Sequence, residues 1–384
     1  MKKRYEPKMQ NRMEIKWINW QELPEGILKS YSATFAQNRV EDLIRNVQTN
    51  YKILQAGAGI YFPVSINDTE WESSYVCSPY TAYILYAQEE LKRKVPNQWA
   101  VFPLLALIKM ISHLLRWVDI NKNVHVNNFL LSTNPYPTWQ GEYLEKITSF
   151  IQKEYPKHTI VFRSLNDAQH QPLLNVFQLN DYELIASRQV YMYPQNRESW
   201  WKHNNNKQDI RLMKNRKLSY VSHEEMGDYL AEAVVLYQKL YLDKYSIHNP
   251  QFTLTYFEEM HKSKSMVFQG YKDENNRLKT FSGLFILENT ITSPLVGYDT
   301  DAPQKEALYI HAIQSIYDYK FKTGKILNLS SGASLFKRLR GGEAAIEYSA
   351  IYIAHLAFHR RFVIRILQFL SNKIGIPLMK KYEL

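Results

Sequence analysis

Residues 326–342 read ILNLSSGASLFKRLRGG: an apolar strand, a turn of small residues, then a Lys-Arg-x-Arg cluster closed by two glycines. In a parallel α/β sheet the loop leaving a strand's carboxyl end lines the ligand crevice. Ser330, Ser331, Gly332 and Ala333 fill such a loop, and the helix start expected behind them offers free backbone N–H groups to an anion. Gly332 permits close backbone approach, and Lys337 and Arg338 would complete a phosphate or carboxylate site. The competing reading is a tight turn beside a solvated face of Lys337, Arg338 and Arg340.

Two further stretches are basic. Lys202, Lys207, Arg211, Lys214, Arg216 and Lys217 stand against Asp209 alone, a pattern that suits phosphates or a solvated helix face. The tail from 359 to 384 puts Arg361, Arg365, Gln368 and Asn372 on one helical face and Phe362, Val363, Ile366, Leu367, Leu370 and Ile374 on another. Such a helix packs on its own domain or lies on an anionic membrane. Packing is the expectation. His355 and His359 share helical spacing but have no acidic third ligand nearby, so no metal site is expected. There is no G-x-x-x-x-G-K-[ST] loop, no G-x-G-x-x-G after a strand and no G-x-S-x-G elbow.

The chain has 384 residues, enough for two or three domains, and its 45% hydrophobic content can fill a packed interior. A formal charge of +11 favours anionic partners such as phosphorylated cofactors, nucleic acid or a membrane surface. Cys77 is the single cysteine, which excludes an intrachain disulfide or a CxxC site. The start, MKKRYEPKMQ, is charged but lacks an apolar run behind it, and the cytoplasm is the expected compartment. The segment 99–118, WAVFPLLALIKMISHLLRWV, carries Lys109 and His113 centrally and reads as a buried helix rather than a span.

The elements that must position the loop are clearest in the second half. A strand at 217–221 precedes Ser222 and Glu225, a capping-box pair, and a helix of about six turns. A shorter helix fits 254–263. Strands at 265–271, 279–287 and 290–298 are separated by gaps short enough for an antiparallel meander. A long helix from Asp301 to Gly324 then leads to a strand at 325–330, a short helix and a strand at 346–354. Strand, long helix, strand, short helix, strand also occurs between 125 and 194. The expected fold is mixed α/β, built as two tandem copies with a boundary near 195.

This order resembles the GNAT fold of acyl-CoA N-acyltransferases, and its doubling resembles the Fem-like tandem proteins. WWKHNNNKQDIRLMKNRKLSYV (200–221), LYLDKYSIHNPQFTLTYFEEM (240–260) and GKILNLSSGASLFKRLRGGEAAIEY (324–348) carry the resemblance. They look closest to the acetyltransferase-like group related to cellulose-biosynthesis-type acyltransferases. It implies a degenerate first domain (1–195), a second domain (196–358) with the active cleft and a basic tail (359–384). It also implies an acyl donor, as CoA thioester, acyl carrier or aminoacyl-tRNA, and an amine acceptor. One departure concerns the donor: where GNATs carry a glycine-rich pyrophosphate loop, GYDTDAPQKEA (297–307) carries two aspartates. Amine attack on an acyl group needs a base and an oxyanion donor. Glu347 and Tyr245 are candidates, with Tyr298, Asn328 and Ser330 at nearby strand ends. The alternative is a non-catalytic binder of tRNA, a phosphorylated ligand or an acyl carrier. Membrane contact at the inner face through the tail is a further expectation.

Overall fold

The short gaps between apolar runs force neighbouring strands together, and the long crossovers set strands parallel. A computed structural model describes residues 14–57, 59–95, 98–194, 196–214 and 217–383, so Arg216 and the charged N-terminal start lie outside the described residues. Its strands are β1 (Lys16–Ile18), β2 (Asn50–Gln55), β3 (Tyr61–Asn67), β4 (Asn123–Val126), β5 (Thr159–Asn166) and β6 (Tyr182–Tyr193) in the first half. The second half holds β7 (Ser219–Val221), β8 (Val267–Lys272), β9 (Leu278–Leu287), β10 (Thr290–Tyr298), β11 (Ile326–Asn328) and β12 (Glu343–Tyr352). All twelve form one sheet in the order β1-β2-β3-β4-β5-β12-β6-β11-β10-β9-β8-β7.

Each half contains one parallel pair. The helix Leu144–Glu154 crosses from β4 to parallel β5, and the helix Leu308–Thr323 crosses from β10 to parallel β11. The other pairings are antiparallel. The last strand does not stay with its own half. β12 lies between β5 and β6, pairing Glu347 with Asn166 on one side and with Arg188 on the other. β6 in turn pairs with β11, so strands of the two halves interleave at the centre of the sheet.

Several local expectations need correction. The segment 99–118 is helical, as Gln98–Trp117, but it is not buried: Trp99 is 90% exposed, Phe102 76% and Trp117 65%. Val101, Ile111 and Leu115 are buried, and Leu104, Leu105, Leu107, Ile108 and Leu114 pack partly against the rest of the protein, while Trp99, Phe102 and Met110 stay exposed. The helix after Ser222 is broken into a 3-10 turn (Glu225–Tyr229), an α segment (Leu230–Tyr237) and a π turn (Gln238–Asp243), although the Ser222–Glu225 capping box forms. The long crossover helix begins at Leu308 rather than Asp301, because the Asp301 carboxylate is held by Lys239 instead of capping.

The tail forms one continuous helix, Phe358–Tyr382, with a π turn at Ser371–Gly375. Among the described residues it is the one helix long and apolar enough to cross a bilayer by length and composition. Here it packs on the sheet. Val363, Ile364 and Leu367 are buried, and Asn372 bridges the β6 backbone, accepting from Ala186 N at 3.0 Å and donating to Leu184 O at 2.8 Å. Its outer side leaves Phe358, Phe362 and Phe369 exposed. Together with helix 98–117 it roofs the middle of the sheet over Val161, Ile185 and Ile351.

The interleaving makes the first half dependent on β12. Residues 1–195 produced alone should show no cooperative thermal transition by circular dichroism, and mixing with 196–384 should restore one. A sharp transition in 1–195 alone would contradict this strand exchange.

Candidate active site

β10 and β11 pair only from Thr290–Ile326 to Thr292–Asn328. Beyond that point β10 bulges between Thr292 and Leu295, and β11 turns away through Ser330, Gly332 and Ala333, all at positive φ. The strands therefore part. At Gly332 (φ 78) an added Cβ would meet nothing within 4 Å, so it is the backbone conformation, not space, that favours glycine there. For Ser330 and Ala333 the left-handed conformation costs on the order of 1 kcal/mol each.

Lys337 offsets that cost. Its buried ammonium donates to Leu329 O at 2.7 Å, Ser331 O at 2.7 Å and Ser330 O at 3.3 Å, so its protons are spent on the loop's own carbonyls. Asn328, also buried, accepts from Ser330 N at 2.8 Å and caps the same turn. Arg340 is no solvated residue: it holds buried Asp209 through two bonds of 2.6 and 2.8 Å. Arg338 points elsewhere, pairing at 2.6 Å with Glu383, the residue just after the tail helix. The helix behind the loop, Ser334–Arg338, is a single short turn.

The gap between the strands is a cleft of about 100 Å³ lined by Ser293, Val296, Leu329 to Ala333, Tyr241, Tyr245 and Tyr309. Burial raises the hydroxyl pKa of all three tyrosines, which keeps them protonated as hydrogen-bond donors. The π turn Gln238–Asp243 brings Tyr241 to this cleft. The Arg93 guanidinium covers the Tyr245 ring at 5.2 Å. Tyr298 stands at the end of β10, outside the cleft lining, where its hydroxyl accepts from Lys244 at 2.8 Å. In the turn after it, Asp299 accepts from Lys279 at 2.7 Å and Lys239 at 3.2 Å. Burial works against the charge, yet these two lysines hold the Asp299 carboxyl below its usual range.

A second cavity, about 230 Å³, lies beneath helices 98–117 and 358–382. It shares Tyr75, Tyr86, Glu90, Arg188 and Ser331 with the cleft. Glu347 is here, not beside Tyr245. Its buried carboxylate accepts from Arg188 Nε at 2.8 Å and Nη2 at 3.3 Å. Arg163 and His125 line the same cavity. Burial, then the nearby Arg163 charge, keeps the His125 imidazole well below its usual pKa, hence neutral. His355 and His359 go to different neighbours: His355 Nε2 lies 2.9 Å from His158 O, and His359 rests on Trp117.

The loop residues predicted from sequence thus line one cleft with Tyr245, while Glu347 lies across the shared wall. Sequence reasoning missed Arg163, Arg188, His125, Tyr241 and Tyr309. A signal existed for Arg163. In HTIVFRSL a charged residue interrupts an apolar strand, and alternation puts Arg163 on the same sheet face as Val161, whereas the bulge at Ser164 turns Leu165 to the other face.

No family model matches the chain, and no curated protein matches it. Among solved structures it is similar to FemX, with 9% identity over 93% of this chain and 100% of that one, at a TM-score of 0.53. It is also similar to a tandem GNAT protein from the clavulanic acid biosynthesis pathway, with 7% identity over 88% and 98% of the chains at 0.39. The C-terminal domain of a putative lysylphosphatidylglycerol synthetase from Agrobacterium fabrum matches at 12% identity over 61% and 79%, at 0.43. The fold is shared with FemX: a mixed α/β structure whose two halves each repeat the parallel pair and its crossover helix.

Stability should respond to the neutral imidazoles. His170 is held to about 4 by burial, with Nδ1 accepting from Asn166 N at 3.1 Å. Below pH 6.5 the unfolded chain takes up protons that folded His125 and His170 refuse, so stability falls from about 6.5 towards 4. Urea melts across that range should show a shallower fall for His125→Gln than for the unsubstituted protein. Parallel curves would contradict the buried neutral His125.

Proposed function

We propose that this protein is an acyltransferase that moves an acyl or aminoacyl group from an activated donor to an amine. The observation that carries the reading is the parting of β10 and β11 at the bulge, with the Ser330–Ala333 loop and three protonated tyrosines around the gap. A donor carbonyl lying between the strands meets hydroxyl donors suited to its developing oxyanion. The amine nitrogen attacks the carbonyl carbon, the bond to sulfur or oxygen breaks, and the amine proton leaves with the thiol or hydroxyl group formed. In this reading Tyr245, which lines the cleft, donates to the oxyanion, and Asn328 and Lys337 shape the loop. In the same reading Glu347, clamped by Arg188 across the shared wall, orients the acceptor.

The donor is a CoA thioester, an acyl carrier or an aminoacyl-tRNA. In the turn at 297–307, Asp299 and Asp301 meet Lys239 and Lys279, so the two carboxylates are balanced. That turn then offers a pyrophosphate no net attraction, which favours a donor gripped elsewhere. The same balance is what a non-catalytic binder would show, and turnover separates the two. With acetyl-CoA and aminoacyl-tRNA offered alongside a panel of amines, one donor should turn over. Tyr309→Phe and Gly332→Val should each lower kcat/KM by about tenfold or more. Donor binding with no turnover on any amine would favour the binder.

A membrane setting follows from the roof. Trp99, Phe102, Trp117, Phe358, Phe362 and Phe369 are exposed on the two helices, with Lys373, Lys380 and Lys381 exposed along the tail. Apolar side chains beside lysines suit an anionic bilayer surface. The full chain should float with phosphatidylglycerol vesicles and not with phosphatidylcholine ones, and Phe358→Ser with Phe362→Ser should weaken it. Equal recovery with both vesicle types would remove the lipid from the account.

A further inference from the structure

The cavity under the two helices has two chemically different ends. At one end, beside Arg188 of the wall shared with the cleft, stand Arg163, Glu347 and His125. Away from it the lining is Leu107, Ile111, Leu367, Leu370, Ile374 and Leu378, drawn from helices 98–117 and 358–382. The charges do not balance. Arg188 is satisfied by Glu347, by Ser132 O and by Thr133 Oγ1 at 3.0 Å. The other carboxylate in the lining, Glu90, is paired with Arg93. Arg163 feels the same Glu347 charge but, among the described residues, makes no salt bridge, so two guanidiniums share one carboxylate; only its Nη1 has acceptors, Val76 O at 2.8 Å and Asn128 Oδ1 at 3.4 Å. His125 Nδ1, buried at the same end, has no hydrogen-bond partner. Two buried cations sharing one carboxylate leave an excess positive charge, which is costly unless an anion joins it.

We propose that this cavity binds a single aliphatic chain bearing an anionic group, a carboxylate or a phosphate. The anion meets Arg163 and His125, and the chain runs between helices 98–117 and 358–382. The geometry fits one chain rather than two, since about 230 Å³ lies below the usual span of drug-sized pockets. Resting on the reading of the adjoining cleft as the donor site, such an amphiphile is the acceptor class for the transfer when its polar end also carries an amine, held with that end toward the shared wall.

Binding is measured by calorimetry on the full chain with no acyl donor present, so its outcome does not depend on turnover. The probes are hexanoate, dodecanoate, dodecyl phosphate and dodecyltrimethylammonium. Dodecanoate and dodecyl phosphate should bind at least about tenfold more tightly than hexanoate, because each added methylene buried contributes up to about 0.8 kcal/mol. The cationic amphiphile should bind at least about tenfold more weakly than dodecanoate. Arg163→Met should cost dodecanoate about tenfold or more, and Leu107→Trp, which fills the apolar end without touching Arg163, should erase the advantage over hexanoate. Affinity independent of chain length, or equal for the cation, overturns the proposal. So does unchanged dodecanoate affinity in both variants. Phosphatidylglycerol vesicles that compete with dodecanoate identify a bilayer lipid as the source; vesicles that do not compete identify a free amphiphile.

Discussion

The insertion of β12 between β5 and β6 is the constraint on which the rest depends. That strand starts in the second half of the chain and is hydrogen-bonded on both edges to the first. It brings Glu347 opposite Arg188, so a buried ion pair straddles the junction of the halves. Removing one member of such a pair leaves a buried charge uncompensated, which typically costs about 3–5 kcal/mol. The pair therefore fixes the register of the exchanged strand as well as the polar wall of the large cavity. A slip of one residue would turn Glu347 to the other sheet face.

From that junction the two cavities follow. On one side β10 and β11 part because a bulge in β10 coincides with left-handed residues after β11, and Lys337 stabilises the resulting turn from inside. On the other side the helices 98–117 and 358–382 bridge the exchanged strands and leave an apolar space beneath them. The shared wall of Tyr75, Tyr86, Glu90, Arg188 and Ser331 joins a cleft rich in hydroxyl groups to a space rich in aliphatic groups. The proposed transfer from an activated carbonyl to an amine-bearing amphiphile would use both.

Much of the second half was legible because its contacts are local. The two-residue Glu288-Asn289 gap dictates the β9–β10 hairpin, the Ser222–Glu225 box marks a helix start, and Gly324 ends the crossover helix with φ 70. The loop at Ser330–Ala333 was placed at a cleft from element order alone, and it lines one. The exchange of β12 was not legible, since alternation in a strand shows which face is buried but not which strand lies beside it. Lys337 misled for a related reason. Its partners are backbone carbonyls, which leave no trace in side-chain types, so a buried turn-stabilising lysine and a phosphate-binding one look alike in sequence. The segment 99–118 looked buried because its apolar content exceeds what a solvated surface normally shows; its outer aromatics are exposed instead.

The most direct test of the central claim is a crystal structure with a hydrolysis-resistant donor, soaked in parallel as a dethia acyl-CoA and as a stable aminoacyl-adenosine analogue. The account predicts that one of them places its acyl carbonyl between β10 and β11, within hydrogen-bond reach of a tyrosine or serine hydroxyl of the gap. Clear density for either analogue elsewhere on the molecule, with the strands still parted and the gap empty, would contradict it.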